Sequence, residues 1–211
     1  MNISLLPLLL LFTFFSAAQD TELSESQFLK LEEEARAQMN GDTEKSFSIA
    51  EDIGKSSNPI HQASSAGIKS YLYQLAGELE LSDEQYELAL GILQKLPDTK
   101  EKMRTHMVIL NYWGLIQWKR EKLSEALKAY EVGKKLALQL KDQKQLIKFL
   151  NNLSQLNVNT YNYKSALALS KTSDSLLGQN VELYSHDQYI RTKNKVHYNI
   201  AWCYDRNGLE K

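Results

Sequence analysis

The feature that most limits what this chain can fold into is a set of landmarks that returns about forty residues later, a period that belongs to stacked supersecondary units. Trp113 and Gly114 stand side by side, and Leu123, Ala126, Tyr130 and Gly133 follow along one stripe. In the second copy Leu153 and Ser154 take the bulky and small places, then Tyr163, Ala166, Ser170 and Ser173 follow. In both copies the small residue precedes the alanine by twelve positions. Ser46, Ala89, Ala126 and Ala166, taken as equivalent, are separated by 43, 37 and 40 residues. Helical hairpins of this length with short links predict an all-α solenoid, an open stack with no closed bundle.

Helical periodicity fills in the units. Phe28, Leu31, Ala35 and Met39 mark one face of a first helix, and Asn40-Gly41-Asp42 stops it before a mate running from Thr43 to Ile53. Pro59 suits the first turn of the next helix, which continues through Ile68, Tyr71, Leu72 and Leu75. Ser82-Asp83-Glu84 reads as the start of its partner, with Tyr86, Ala89, Leu90 and Leu93 as the apolar stripe. The segment from Lys100 to Trp118 is apolar almost all round and has to be covered on more than one side. Its mate runs from Leu123 to Leu140, and Gly114 and Gly133 are expected to let helices approach closely, offsetting a helix penalty of about 1 kcal/mol each. The predicted units are 22–58, 59–98, 100–141, 143–180 and an incomplete 185–211.

The composition suits such a chain: 43% hydrophobic, 24% charged and only 3 prolines in 211 residues describe a folded helical protein, not a disordered one. A net charge of −1 conceals an asymmetry, because residues 20–94 hold 5 basic and 15 acidic side chains while residues 95–148 hold 13 and 6. Solvated helix faces account for these charges most simply, and electrostatic steering of a partner or head-to-tail contact between copies is the sharper reading. The acidic run Glu32-Glu33-Glu34 is read as such a solvated face.

Residues Leu5 to Phe15 form a short apolar run, followed by Ser16-Ala17-Ala18, which resembles a secretory signal peptide cut after Ala18. A bilayer-spanning helix needs about 20 apolar residues, more than this run supplies. The expectation is export to the periplasm or outside the cell, with residues 1–18 removed. An uncleaved N-terminal anchor is the alternative, since no Lys or Arg precedes the apolar run. No second long apolar run occurs, so no membrane span is expected in the mature chain. A single cysteine, Cys203, precludes an internal disulfide and is read, among Ile200, Ala201 and Trp202, as a small buried hydrophobe.

These residues resemble the tetratricopeptide repeat, in a variety with long helices. The resemblance is carried by Trp113, Gly114, Leu123, Ala126 and Tyr130, then by Leu153, Ser154, Tyr163 and Ala166, with Ile200, Ala201, Tyr204 and Gly208 opening a further copy. Residues 100–211 carry it well and 22–98 weakly, and Glu121 stands where the turn often has glycine. The resemblance implies a right-handed superhelix whose first helices form a concave face that receives an extended peptide or another protein. Carried over by helical spacing, that face comprises Asn111, Tyr112, Leu115 and Trp118, then Lys148, Asn151, Asn152, Gln155 and Asn159, then Lys195, Tyr198, Asn199 and Trp202. Asn and Gln can satisfy both donors and acceptors of a peptide backbone, Lys can meet a carboxylate, and Trp and Tyr supply anchors. An alternative makes Tyr112, Leu115 and Trp118 core and the asparagines mere solvation.

No catalytic or cofactor chemistry is expected. His61, His106, His186 and His197 fall in no metal-ligand spacing, and HExxH, CxxC and phosphate-binding glycine loops are absent from the sequence. His197 and Cys203 lie about 120° apart around a helix and cannot form a dyad. Nucleic-acid binding is not expected of an exported chain with this net charge, despite the basic middle. The sequence thus predicts an interaction scaffold for a protein or extended peptide, with self-association through the incomplete last repeat as a further expectation. The alternative function is the extracytoplasmic sensor segment of a bacterial signalling protein, a histidine kinase or DNA-binding regulator, which the gene's continuation beyond Lys211 would reveal. Circular dichroism of residues 19–211 should be dominated by helix, and substantial strand signal would refute the solenoid.

Overall fold

The structure, a computed structural model, describes residues 22–207. The leader expected at residues 1–18 and the turn expected at Gly208 lie outside the described residues. Within them the chain is nine α-helices: α1 Glu25–Gln38, α2 Thr43–Gly54, α3 Pro59–Ala76, α4 Leu79–Gln94, α5 Lys100–Lys119, α6 Leu123–Leu140, α7 Gln143–Asn159, α8 Tyr163–Gln179 and α9 His186–Asn207. A short 3-10 turn at Val181–Leu183 precedes α9. Each helix packs on the next in sequence, and α1 on α3, α3 on α5 and α7 on α9 also touch. Odd-numbered helices therefore make the inner layer of an all-α solenoid and even-numbered ones the outer.

Two different devices start these helices. Ser24, Asn58, Thr99 and Asp142 cap α1, α3, α5 and α7 by accepting a backbone N–H in the first turn. The helices α4, α6 and α8 have no side-chain cap. They follow tight turns in which Gly77, Glu121 and Tyr161 adopt φ of 84°, 60° and 59°. In each turn the following residue donates back across six residues, Glu78 to Tyr73, Lys122 to Gln117 and Asn162 to Asn157, at 2.8–2.9 Å. This corrects the sequence expectation for α4: its start is Leu79, not Ser82, directly after the left-handed turn at Gly77, whose carbonyl accepts from the Leu79 N–H at 3.0 Å. Ser82 instead lies inside the helix, buried, with its hydroxyl unpartnered among the described residues.

The core is assembled where a small residue on one helix admits a large one from its neighbour. A Cβ on Gly114 would overlap the ring of Tyr130, and one on Gly133 would overlap Phe149. Both rings are fully buried, so neither has room to retreat. A Cβ on Gly67 would stand 2.5 Å from Ile109, which is how α3 and α5 come together. In the next unit Ser154 replaces the glycine, and the packing changes accordingly. Its hydroxyl donates to the carbonyl of Ala166 at 3.0 Å and lies 2.6 Å from the hydroxyl of Ser170, which stands where Tyr130 stood. The twelve-residue spacing in the sequence is thus a contact between paired helices. Ser46, Ala89, Ala126 and Ala166 are all fully buried.

Glu32 overturns the reading of Glu32-Glu33-Glu34 as a solvated run. It is 1% exposed, accepts from the Ser64 hydroxyl at 2.8 Å and from Arg104 Nη2 at 2.9 Å, and has Arg36 Nη2 at 3.6 Å. One carboxylate so ties α1, α3 and α5 together, and two guanidiniums offset its desolvation. Glu33 is exposed and Glu34 pairs with Lys45. His61 is buried in the same part of the core, stacked on Phe28 at 4.1 Å and within 2.9 Å of the Ser56 hydroxyl; burial pushes its pKa below the ordinary value. Cys203 is fully buried, in a cluster with Val158 and Ala166.

Two substitutions test this account by chemical denaturation. Glu121→Gly relieves a left-handed conformation that costs a non-glycine residue about 1 kcal/mol and should raise stability by roughly that amount. Gly114→Ala gains about 1 kcal/mol in helix propensity but drives a methyl into Tyr130, and should destabilise by about 1–3 kcal/mol net.

Candidate partner groove

The inner layer opens between α5 and α7. These two helices do not pack closely, and a hydrogen bond from Asn152 Nδ2 to Asn111 Oδ1, at 3.0 Å, joins them across the gap. Residues on α7 separate cleanly by face. Leu146, Ile147, Phe149, Leu150, Leu153 and Leu156 go into the core, while Lys148, Asn152 and Gln155, at intervals of four and three, stay on the inner surface. On α9 the spacing of Gln188, Arg191, Thr192, Lys195, Tyr198 and Asn199 builds the facing wall.

Two contiguous clefts result. The larger, about 490 Å³, is lined by Leu115 and Trp118 of α5, by Asn151, Asn152 and Gln155 of α7, and by Asn194, Lys195, Tyr198 and Asn199 of α9. The smaller, about 240 Å³, is lined by Lys144, Ile147, Lys148, Asn151 and Asn152 of α7, by Tyr184, and by Gln188, Arg191, Thr192 and Lys195 of α9. They share Asn151, Asn152 and Lys195, so they form one continuous channel with an aromatic end and a cationic end.

The cationic end holds Lys144, Lys148, Arg191 and Lys195 and no acidic side chain among its lining residues. Lys144 donates to Gln188 Oε1 at 3.2 Å and lies 5.2 Å from the centre of the Tyr184 ring. Lys148 is open to water yet walled in by protein, and desolvation followed by the charges of Arg36, Lys144 and Lys195 pushes its pKa down to about 8 against a weaker opposing pull from Asp142. The wider end has an electrostatic peculiarity of another kind. Asn151 Oδ1 and Asn199 Oδ1 are buried and have no hydrogen-bond partner among the described residues, although a buried acceptor left unmade costs about 1–3 kcal/mol.

Of the residues expected from sequence on the concave face, Trp118, Lys148, Asn151, Asn152, Gln155, Lys195, Tyr198 and Asn199 line these clefts. Asn111 lies beneath them, 8% exposed, holding Asn152. Tyr112 is a core residue, 6% exposed and packed beside Tyr71 at a ring separation of 5.7 Å. Its helical position turns it toward α3, which closes on α5 at Gly67. Asn159 is exposed in the last turn of α7 and lines neither cleft. Trp202 also lies outside them, where its ring meets Tyr198 at 5.8 Å and the Arg206 guanidinium at 5.2 Å. Lys144, Gln188, Arg191 and Thr192 were not anticipated. Their signal was available, because extending the Lys195 stripe backwards by three, four and seven positions reaches Thr192, Arg191 and Gln188.

Among the described residues no cluster of three or more His, Cys, Asp or Glu side chains could hold a metal ion. His197, exposed, has its Nε2 3.1 Å from Asp174 Oδ1 on α8, whereas Cys203 is buried. No described helix is long and apolar enough to cross a membrane.

Replacing Asn199 by Leu, which has the same branching and no orphaned acceptor, should raise the melting temperature, by the equivalent of about 1 kcal/mol. A lowered melting temperature would mean that the carboxamide oxygen is satisfied in solution.

Neither a protein-family model nor a curated protein matches the chain. Among solved structures, it is similar to the nearly identical TPR-like repeats of a kinesin light chain-like protein from Podosopora anserina, with 13% sequence identity and a TM-score of 0.58 over 87% of this chain and 88% of that one. Likeness at that identity concerns the backbone alone: the chain has a TPR-like repeat fold.

Proposed function

We propose that this protein is a non-catalytic scaffold that binds an extended polypeptide segment along the channel between α5, α7 and α9. The observation that carries the reading is the continuous channel whose walls present accessible carboxamides, those of Asn152 and Gln155 on α7 and of Gln188 and Asn194 on α9. A peptide backbone offers N–H donors at regular intervals, and an extended one presents them to both walls. Trp118 and Tyr198 add aromatic surface at one end of the channel, which suits an apolar side chain.

The other end favours an acidic segment. Four cations line it without a carboxylate among them, so a partner bearing Asp or Glu gains attraction that a basic one would have to overcome. Export, with residues 1–18 as a signal peptide, is part of the same proposal and rests on the sequence alone.

Fluorescence anisotropy with synthetic peptides tests the reading. Glu-rich peptides carrying one aromatic residue should bind, more weakly as salt is raised, while Lys-rich peptides of equal length should not. The combined replacement Lys148→Ala, Asn151→Ala and Asn152→Ala should abolish that binding in a chain that circular dichroism shows still folded, although the lost Asn152–Asn111 hydrogen bond lowers its melting temperature. Equal binding by the triple variant would place the partner surface elsewhere.

A further inference from the structure

A further cleft, of about 270 Å³, lies among the first turns of α1, α3 and α5, and none of its lining residues lines the channel. One wall is apolar, made by Leu23, Phe28 and Ile60. The rest carries both signs of charge. Glu25 opens α1 and Glu101 lies in the first turn of α5, and neither meets a cation within 4 Å among the described residues. Arg104, three residues after Glu101, donates to Glu32; because Arg36 faces the same carboxylate, the three groups together keep one positive charge in surplus. Glutamate and arginine at that spacing on a helix ordinarily meet. Here Glu101 is held at the helix start by its own N–H and the Thr99 hydroxyl, and Arg104, 36% exposed, keeps N–H groups free of Glu32. Thr105, 2% exposed, lines the same cleft. Thr160, Thr172 and Thr192 each return the hydroxyl to the carbonyl four residues earlier, at 2.8–3.1 Å. The Thr105 hydroxyl has no partner among the described residues, and unlike those of Ser70 and Ser82 it is not sealed from the surface, so it faces the cleft.

We propose that this cleft binds a free α-amino acid with an aliphatic side chain the size of leucine. The carboxylate of the ligand accepts from Arg104 and from the Thr105 hydroxyl, its ammonium lies between Glu25 and Glu101, and its side chain packs on Leu23, Phe28 and Ile60. A zwitterion bridges charges that the protein holds apart. An ion of one sign alone would leave the opposite side of the cleft unpaired and displace its water for nothing in return. The volume falls below the range of about 300–1,000 Å³ that suits drug-sized ligands, in keeping with a smaller molecule. This site is separate from the channel and does not rest on the peptide-binding reading.

Isothermal titration calorimetry on the full chain tests it with L-leucine, with leucinamide, which lacks the carboxylate, with 4-methylpentanoate, which lacks the amine, and with glycine, which lacks the side chain. Leucine should bind, and each of the other three should bind at least about 10-fold more weakly. Thr105→Val, which keeps the shape of the side chain, and Glu25→Gln, an exposed substitution, should each weaken leucine binding about 3-fold or more in chains whose circular dichroism is unchanged. Arg104 is left in place because it also holds Glu32. Absence of leucine binding at millimolar concentration would overturn the proposal. Leucinamide binding as tightly as leucine would overturn it too, and would point to the amino terminus of a peptide as the occupant. Unchanged leucine affinity in both variants would place the amino acid elsewhere and likewise overturn it.

Discussion

At the crossing of α5 and α6 the ring of Tyr130 occupies the space in which any residue but glycine at position 114 would carry a side chain. The same exchange recurs between Gly133 and Phe149 and, across the inner layer, between Gly67 and Ile109. Dispersion and burial reward such contacts only when both surfaces are complementary, since cores are packed to crystal-like density and neither void nor overlap is cheap. These crossings set how near each helix lies to the next. Through that spacing they set the curvature of the stack.

The channel is a consequence of where that closeness stops. Gly67 brings α3 and α5 together, but α5 and α7 are kept apart, bridged by polar Asn111 and Asn152. The inner face of α7 is left without an apolar partner, and its side chains are accordingly Lys, Asn and Gln. Desolvation first, and then the neighbouring charges of Arg36 and Lys144, lowers the pKa of Lys148 in that concavity, and buried acceptors are left without donors among the described residues. Local features that cost stability without serving the packing mark the places where a fold has been shaped for something other than its own persistence.

Much of the site was legible from helical spacing, because Lys148, Asn152 and Gln155 fall on one stripe and Lys195, Tyr198 and Asn199 on another. Tyr112 was misplaced since a residue flanking two adjacent faces is assigned by the helix it happens to meet, and α3 lies too close for it to remain open. The beginning of α4 was misread for a different reason. Ser82-Asp83-Glu84 has the chemistry of a capped start, but the chain had already turned at Gly77, and a left-handed turn leaves no trace of its hydrogen bonds in residue type when Glu121 and Tyr161 adopt it as well.

By itself the sequence determined the class of architecture: a period of about forty residues, with bulky and small positions recurring in step, is satisfied only when similar hairpins stack, because no single hairpin can bury both its apolar faces. Only the tertiary structure decided which charges are spent on the core and which remain for a partner. Glu32 reads like its neighbours Glu33 and Glu34, yet it alone is enclosed between α1, α3 and α5 and neutralised by Arg36 and Arg104. Lys148 reads like any surface lysine until the surrounding helices desolvate it and α1 adds the charge of Arg36. Spacing along one helix fixes a side chain's direction, but the charge and solvent it meets are set by helices far away in sequence, and those are known only once the stack has closed.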